Sequence, residues 1–328
     1  MPSGRQQTPH ASPRTVSPVV RRLNDARERL AASRIGRGGT VEPSPPDDHL
    51  EEPLTMAGER ATGFLANFST NGVGLEIGPS HNPIAPKSGG FDVRTLDHKT
   101  QVGLRKKYAD HNVNLEAIEP VDYHWNGERY IDLVGDQRFD WIIASHVIEH
   151  VPDLVGFLND CLEILQPGGT IALVIPDMRY CFDALRPPTG LSELIDSHHA
   201  DRKAPSPGQV ADFYLNLAHR GGKASWHNAE DGPWESAVTI ADAQRFTQQA
   251  VKGRKHDVHV WRFTPTSLRL QLAQLDLLGL ISVDVAFHQE SRIGEFYLGL
   301  THRAETTPAP TERNLLALAV EARRELAE

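Results

Sequence analysis

Val73-Gly74-Leu75-Glu76-Ile77-Gly78-Pro79-Ser80-His81-Asn82-Pro83 is the stretch on which the fold turns. An apolar run of strand type stops at an acidic residue and opens into a turn rich in Gly, Pro and Asn. In a parallel α/β sheet, ligands sit outside the carboxyl ends of the strands. The turn after the first strand carries a glycine so that a ligand can approach the backbone. Gly78 stands at that place. Alone, the stretch reads equally well as a buried strand with a surface turn, and its neighbours decide between the two.

On the C-terminal side, a repeating pattern follows. Phe91 to Leu96 alternates as a second strand ending at Asp97, and a helix is expected over 99–109. A third strand is expected around 115–121, ending near Asp122. Phe139-Asp140-Trp141-Ile142-Ile143-Ala144-Ser145 is a buried strand, and a helix over 153–165 is stopped by Pro167-Gly168-Gly169. Thr170 to Ile175 forms the next strand, ending at Pro176-Asp177. Strands alternating with helices at this spacing predict a doubly wound, mostly parallel sheet.

Residues 178–258 break the rhythm. They are polar, with turn signals at Pro187-Pro188, Pro205 to Gly208 and Gly221-Gly222, and helices are expected at 208–219 and 239–251. An insertion after the fifth strand lies over the ligand-binding ends of the sheet. A helix is expected over 266–278. Strands at 280–288 and 294–301 then close the domain as an antiparallel pair at one edge. Residues 303–311 read as a linker, and 312–327 as an amphipathic helix.

On the N-terminal side, a short helix is expected over 54–68. Residues 1–53 are rich in Pro, Ser, Arg and Gly and read as a largely disordered extension. Within it, Ser17 as cap, Pro18 at the first helical position and Gly36 as stop allow a helix over 18–34. The domain itself is expected over 54–302.

The chain has 328 residues and a net charge of −9. That charge argues against a nucleic-acid partner, which needs a basic face, and favours a small-molecule substrate. There is no apolar run of about 18 residues to span a membrane, nor an apolar core of signal-peptide type. Cys161 and Cys181 cannot build a disulfide framework. These features predict a cytoplasmic protein, and the terminal helices offer contacts to a partner or a second copy.

Five ordered signals together resemble the class I S-adenosylmethionine-dependent methyltransferases. They are Glu76-x-Gly78, Asp97 at 19 residues beyond Gly78, Asp122, Phe139 to Asp153 with its Glu149-His150-Val151-Pro152-Asp153, and Leu165-Gln166-Pro167-Gly168-Gly169. The last two are similar to the signature LEHVPD…LKPGG of the small-molecule enzymes. The resemblance covers about residues 60–301. It implies a Rossmann-like seven-stranded sheet with S-adenosyl-L-methionine as cofactor. It further implies that Asp97 accepts hydrogen bonds from the ribose diol, that Gly78 admits the methionine moiety, and that Glu76 fixes the loop or meets the cofactor's amino group. Asp122 would meet the adenine amino group, with Glu119 as its competitor. Pro79, Ser80 and Asn82 line the turn, and Ser145 and His146 the methionine end. The missing later glycines argue against a dinucleotide, whose pyrophosphate needs them.

Methyl transfer is an in-line displacement that demands alignment first. A hydroxyl acceptor, on a sugar or secondary metabolite, also needs a base, for which a neutral histidine suits. His146 and His150 are the first candidates, ahead of His259. His198, His199, Trp261 and Arg262 are expected to meet the substrate. An amine acceptor, or a non-catalytic binding module on the same fold, are the alternatives. His146-Val147-Ile148-Glu149-His150 also matches the H-x-x-E-H zinc-peptidase pattern. Pro152 disfavours helix at Val151, so no metal ligand is assigned.

Overall fold

The structure is a computed structural model that describes residues 54–111, 113–226, 232–292 and 294–327. The helix expected over 18–34 lies outside the described residues. Helix α1 (Leu54–Leu65) leads to strand β1 (Gly74–Ile77) and β2 (Val93–Asp97). Helix α2 (Gln101–Lys107), β3 (Tyr123–His124), α3 (Tyr130–Val134), β4 (Phe139–Ser145), α4 (Leu154–Ile164) and β5 (Leu165–Pro176) follow. The insertion carries α5 (Leu191–His199), α6 (Pro207–Asn216), the hairpin β6 (Ala218–Arg220) and β7 (Trp234–Ser236), and α7 (Ile240–Val251). Helix α8 (Pro265–Leu277), β8 (Val283–Arg292), β9 (Glu295–His302) and α9 (Glu312–Glu325) complete the chain. No helix among the described residues is long and apolar enough to cross a membrane.

Seven strands form one sheet in the order β3-β2-β1-β4-β5-β9-β8. The pairs from β3 to β5 are parallel, and β9 runs against both β5 and β8. The expected antiparallel edge is thus the β8–β9 pair, with β9 reversed and β8 outermost. The alternation along β4 explains the two layers. Ile142 joins Leu75, Leu173, Leu298 and the buried faces of α4 and α8 on one side. Trp141 and Ile143 join Phe64 of α1 on the other. A central strand covered on both faces reads as a continuous apolar run, as this one does. Gly74 sits across from Trp141, where a Cβ would stand 2.1 Å from the indole, so only glycine fits.

Helix starts follow their caps. The Asp153 carboxylate accepts from Gly156 N at 2.9 Å to begin α4. Thr264 caps α8, with Pro265 at its first position. Helix α9 docks on α8: the Glu325 carboxylate accepts from Thr266 N at 3.1 Å and from the hydroxyls of Thr264 and Thr266.

Two expected boundaries are corrected. The third strand is not at 115–121, where a 3-10 turn (Leu115–Ala117) forms instead. Val113, Leu115, Ile118 and Val121 pack with Leu104 and Tyr108 as a small cluster, a spacing closer to helical than to alternating. Strand β3 follows as only two residues. The Pro167-Gly168-Gly169 stop lies inside β5. The register jumps from Phe139↔Leu165 to Trp141↔Thr170, so the three residues bulge out of the ladder. Gly168 takes φ +81°, and a Cβ on Gly169 would meet the Asp140 carbonyl at 2.7 Å.

The insertion has its own core. Phe182, Val210, Phe213, Tyr214, Leu217, Ala243, Phe246 and Val258 close into a cluster beside the main one.

Candidate functional site

The turn after β1 is built on Glu76. Its buried carboxylate accepts from Ile84 N at 2.7 Å and Ala85 N at 3.1 Å. Burial pushes the Glu76 carboxyl up to about 7 against the pull of these two bonds. Gly78 donates its N–H to Leu96 O at 2.8 Å and takes φ +65°. A Cβ on Gly78 would meet Val147 Cγ2 at 3.0 Å, so the residue keeps a shallow gap between the first and fourth strand ends. Asn82 N closes on Pro79 O at 2.9 Å. Ser80 inside that turn takes φ +51° with a buried, unpartnered Oγ. Asn82 is exposed, and His81 packs its ring 4.7 Å from Tyr108.

Asp97 ends β2 and is 2 % exposed. Its Oδ1 accepts from Lys99 N at 3.3 Å and lies 2.8 Å from His98 Nδ1. Its Oδ2 is buried with no hydrogen-bond partner. Buried carboxylate oxygens are ordinarily paired, so this one marks a place for an incoming donor. Asp122 is a different case. It precedes β3 instead of following it, and its Oδ2 already accepts from Thr95 N at 2.7 Å, Thr95 Oγ1 at 3.1 Å and Lys87 Nζ at 2.6 Å. Burial would raise this carboxyl, but those donors hold it below its usual range. Glu119 is likewise taken, by Lys87 N and Ser88 N. Both acids brace the loop beside the site, and neither stands at the end of β3, where Asp122 was expected. The register that misplaced the third strand misplaced it as well.

Beyond β4, His146 takes φ +51°, a strained conformation for a non-glycine residue. Its Nε2 lies 2.9 Å from Glu295 Oε2, and its Nδ1 3.7 Å from Glu149 Oε1. Glu295 begins β9 and is gripped by Arg60 of α1 through Nε at 2.5 Å and Nη2 at 2.7 Å, with the Tyr297 hydroxyl donating at 3.1 Å. Burial would raise the Glu295 carboxyl, but His146 and Arg60 hold it down at about 2. Arg60 Nη2 also reaches Ser145 Oγ at 3.4 Å. Arg60 and Glu295 were not singled out in the sequence, since no local motif marks partners 235 positions apart.

His150 faces elsewhere. Its Nδ1 is 2.9 Å from Asp257 Oδ1, and its ring meets His259 edge to face at 4.7 Å. Burial would lower the His150 imidazole, but the hydrogen bond and charge of Asp257 outweigh it and raise it. Asp257 is in turn held well below its ordinary value, chiefly by His150 against the cost of burial. His259 is buried, with Nδ1 on Asp183 Oδ2. Asp183 also accepts from Arg186 Nη1 at 2.6 Å. Against burial, His259 and Arg186 hold the Asp183 carboxyl at about 2.

The expected substrate residues do not converge on the turn. Trp261 is fully buried and donates Nε1 to Val151 O at 2.6 Å. Arg262, also buried, donates to Pro187 O at 3.0 Å and Val260 O at 2.7 Å. Both are braces for the exit of the insertion, because the five donors of a buried guanidinium need acceptors, here mostly backbone carbonyls. His198 Nδ1 lies 3.0 Å from Asp153 Oδ2 at the cap of α4, and His199 is exposed beside it. A cavity of about 720 Å³ lined by Asn159, Asp276, Leu280, Arg303 and Thr307 opens at the amino ends of the strands, away from Asp97.

A protein-family model described as a methyltransferase domain matches residues 55–278, more than half of the chain. The ubiquinone biosynthesis O-methyltransferase of Methylobacterium sp. (strain 4-46) is 28% identical over 135 residues, 41% of this chain and 36% of that protein. The protein of the same name from Rhodopseudomonas palustris (strain HaA2) is 32% identical over 74 residues, 23% of this chain and 26% of that protein. The chain thus spans about a third or less of the length of these curated relatives. Among solved structures, the CcbJ methyltransferase from Streptomyces caelestis aligns with a TM-score of 0.40 at 15% identity, covering 80% of this chain and 91% of that one. With the family match, the strand order and the Glu76-x-Gly78 and Asp97 ends all in place, the chain belongs to the methyltransferase-domain family, in the S-adenosylmethionine-dependent class I group that its motifs resemble.

Proposed function

We propose that this protein transfers a methyl group from S-adenosyl-L-methionine to a hydroxyl of a small or medium polar acceptor. One observation carries the cofactor assignment: the buried, unpartnered Oδ2 of Asp97 at the end of β2. The residues present fit such a cofactor. Asp97 Oδ2 would accept from the ribose diol, Gly78 would leave room for the methionine chain, and Ser80 Oγ, also unpartnered, would face the same turn. Glu76 holds the loop instead of the ligand, since both its oxygens are committed to Ile84 and Ala85. When bound, the cofactor supplies a methyl group on a sulfonium.

The chain's own part is alignment and proton removal. His146, at a strained position just past β4, is our candidate for the base. The Glu295 carboxylate holds its ring, and Arg60 holds Glu295 in turn. His150 is drawn to Asp257 and His259, which withdraws it from that role. The acceptor hydroxyl would lose its proton to His146 as its oxygen takes the methyl group, leaving S-adenosylhomocysteine. The naming of the curated relatives as O-methyltransferases supports a hydroxyl over an amine.

Calorimetry with S-adenosylmethionine and S-adenosylhomocysteine tests the cofactor, with one saturable site expected. Absence of binding to either overturns the enzyme reading and leaves a non-catalytic module. A screen with radiolabelled methyl donor over sugars, phenols and amines tests the acceptor. Labelling confined to amines overturns the hydroxyl assignment.

A further inference from the structure

We propose that Glu149, His150 and His259 form a binding site for one divalent cation of the zinc type. One ligand atom from each residue lies within 4.8 Å of the others. Glu149 is 1 % exposed, and neither of its carboxylate oxygens has a hydrogen-bond partner. Buried carboxylates are paired by hydrogen bonds or coordinate metals. Here at least one oxygen lies within 4.8 Å of both imidazoles, and neither oxygen accepts a hydrogen bond.

The surroundings are those of metal-ligating histidines, whose second ring nitrogen is usually held by a carboxylate that fixes the ring and raises its basicity. Asp257 Oδ1 lies 2.9 Å from His150 Nδ1. Asp183 holds His259 Nδ1 and is itself fixed by Arg186. The backbone is prepared as well. Glu149 O accepts from Val260 N at 2.7 Å and Trp261 N at 3.1 Å, which pins the His259 segment beside Glu149 across more than a hundred residues of sequence. Tetrahedral zinc ligands at about 2.0–2.1 Å stand roughly 3.3 Å apart, so with all three atoms within 4.8 Å of one another no pair has to close by more than about 1.5 Å.

Two imidazoles and one carboxylate select zinc-type cations over magnesium or calcium, which prefer oxygen ligands throughout. Three protein ligands leave a fourth position for water or an acceptor oxygen. The pair His146 and His150, which the H-x-x-E-H pattern suggests, is not the one assembled. His146 turns to Glu295, and His259 arrives from the far end of the insertion.

The test is calorimetry of the chelator-stripped full chain with zinc, manganese or magnesium chloride alone. One equivalent of zinc is expected to bind with a dissociation constant below about 1 μM, with magnesium giving no saturable heat. Glu149→Gln and His259→Gln should each weaken zinc by about 100-fold or more. Asp257→Asn, at an exposed position that leaves the core intact, should weaken it about tenfold. His198→Gln should change nothing. Lack of saturable zinc binding by the wild-type chain overturns the proposal and leaves the cluster as histidine–carboxylate pairing. Unchanged affinity in both Glu149→Gln and Asp257→Asn overturns it too, placing the metal elsewhere.

Discussion

Asp97→Asn separates recognition from stability. In the free protein, Asp97 Oδ1 is shared between Lys99 N and His98, while Oδ2 is buried and unpartnered. The substitution keeps the shape and removes the charge together with the open acceptor. A charge-assisted hydrogen bond contributes about 1.5–3 kcal/mol, so S-adenosylhomocysteine should bind roughly 10- to 150-fold more weakly. The free protein should lose almost nothing. An amide costs less to bury than a carboxylate with an unpaired oxygen, so its unfolding free energy should stay within about 1 kcal/mol of wild type. Calorimetry gives the affinity. Thermal unfolding with and without ligand gives the stability, since ligand at 100 times its dissociation constant adds about 2.7 kcal/mol to the wild type. An affinity within twofold of wild type refutes the ribose assignment. An affinity loss matched by an equal loss of stability in the free protein refutes the claim that Oδ2 is kept open for a ligand.

Three further outcomes follow from the ionisable and capping groups. Glu76 titrates at about 7 folded against 4.5 unfolded, so the folded state holds the extra proton and stability falls as pH rises between those values. Over that window the wild type should lose about 3 kcal/mol relative to Glu76→Gln, read from urea unfolding at several pH values; parallel curves would contradict the buried acid. Glu295 is the opposite case, depressed to about 2 from 4.5, so its contribution is present above 4.5 and lost as pH falls through about 2. Glu295→Gln should cost about 3 kcal/mol at pH 7 by stranding Arg60, with the deficit shrinking towards pH 2; a constant deficit would show that charge is not involved. Glu325→Ala removes the acceptor for Thr264 and Thr266 at the start of α8 and should destabilise by about 1–2 kcal/mol, and an unchanged denaturation midpoint would mean that α9 only rests on α8.

What could be read in the sequence was local. Gly78 and Asp97 occupy strand ends that a few flanking residues define, and the run Phe139 to Ser145 became β4 with its expected bounds. The third strand misled because Val113, Leu115, Ile118 and Val121 are apolar at intervals that suit a packed turn as well as a strand. Asp122, expected at the end of that strand, precedes it instead. Partnerships over long separations left no trace. Arg60 with Glu295, and Asp183 with His259, are joined only by the closed sheet and the folded insertion. Trp261 and Arg262 were expected to meet the substrate because their segment could return to the cleft. Their donors instead meet the carbonyls of Val151, Pro187 and Val260.

The two ends of the insertion are fastened to each other at the carboxyl edge of the sheet. Asp177 bridges Phe263, and Met178 N donates to Phe263 O at 2.9 Å. The segment between them folds around its own cluster of Phe213, Tyr214 and Phe246. With its ends fastened, chain added at the exposed turns of the insertion costs little, because doubling a flexible closed loop costs only about 0.6 kcal/mol in chain entropy. Residues can therefore be gained or lost between the fastened ends while Gly78 and Asp97 stay in register. Under the function proposed above, a lineage can then vary the acceptor side without rebuilding the strand ends proposed for the cofactor.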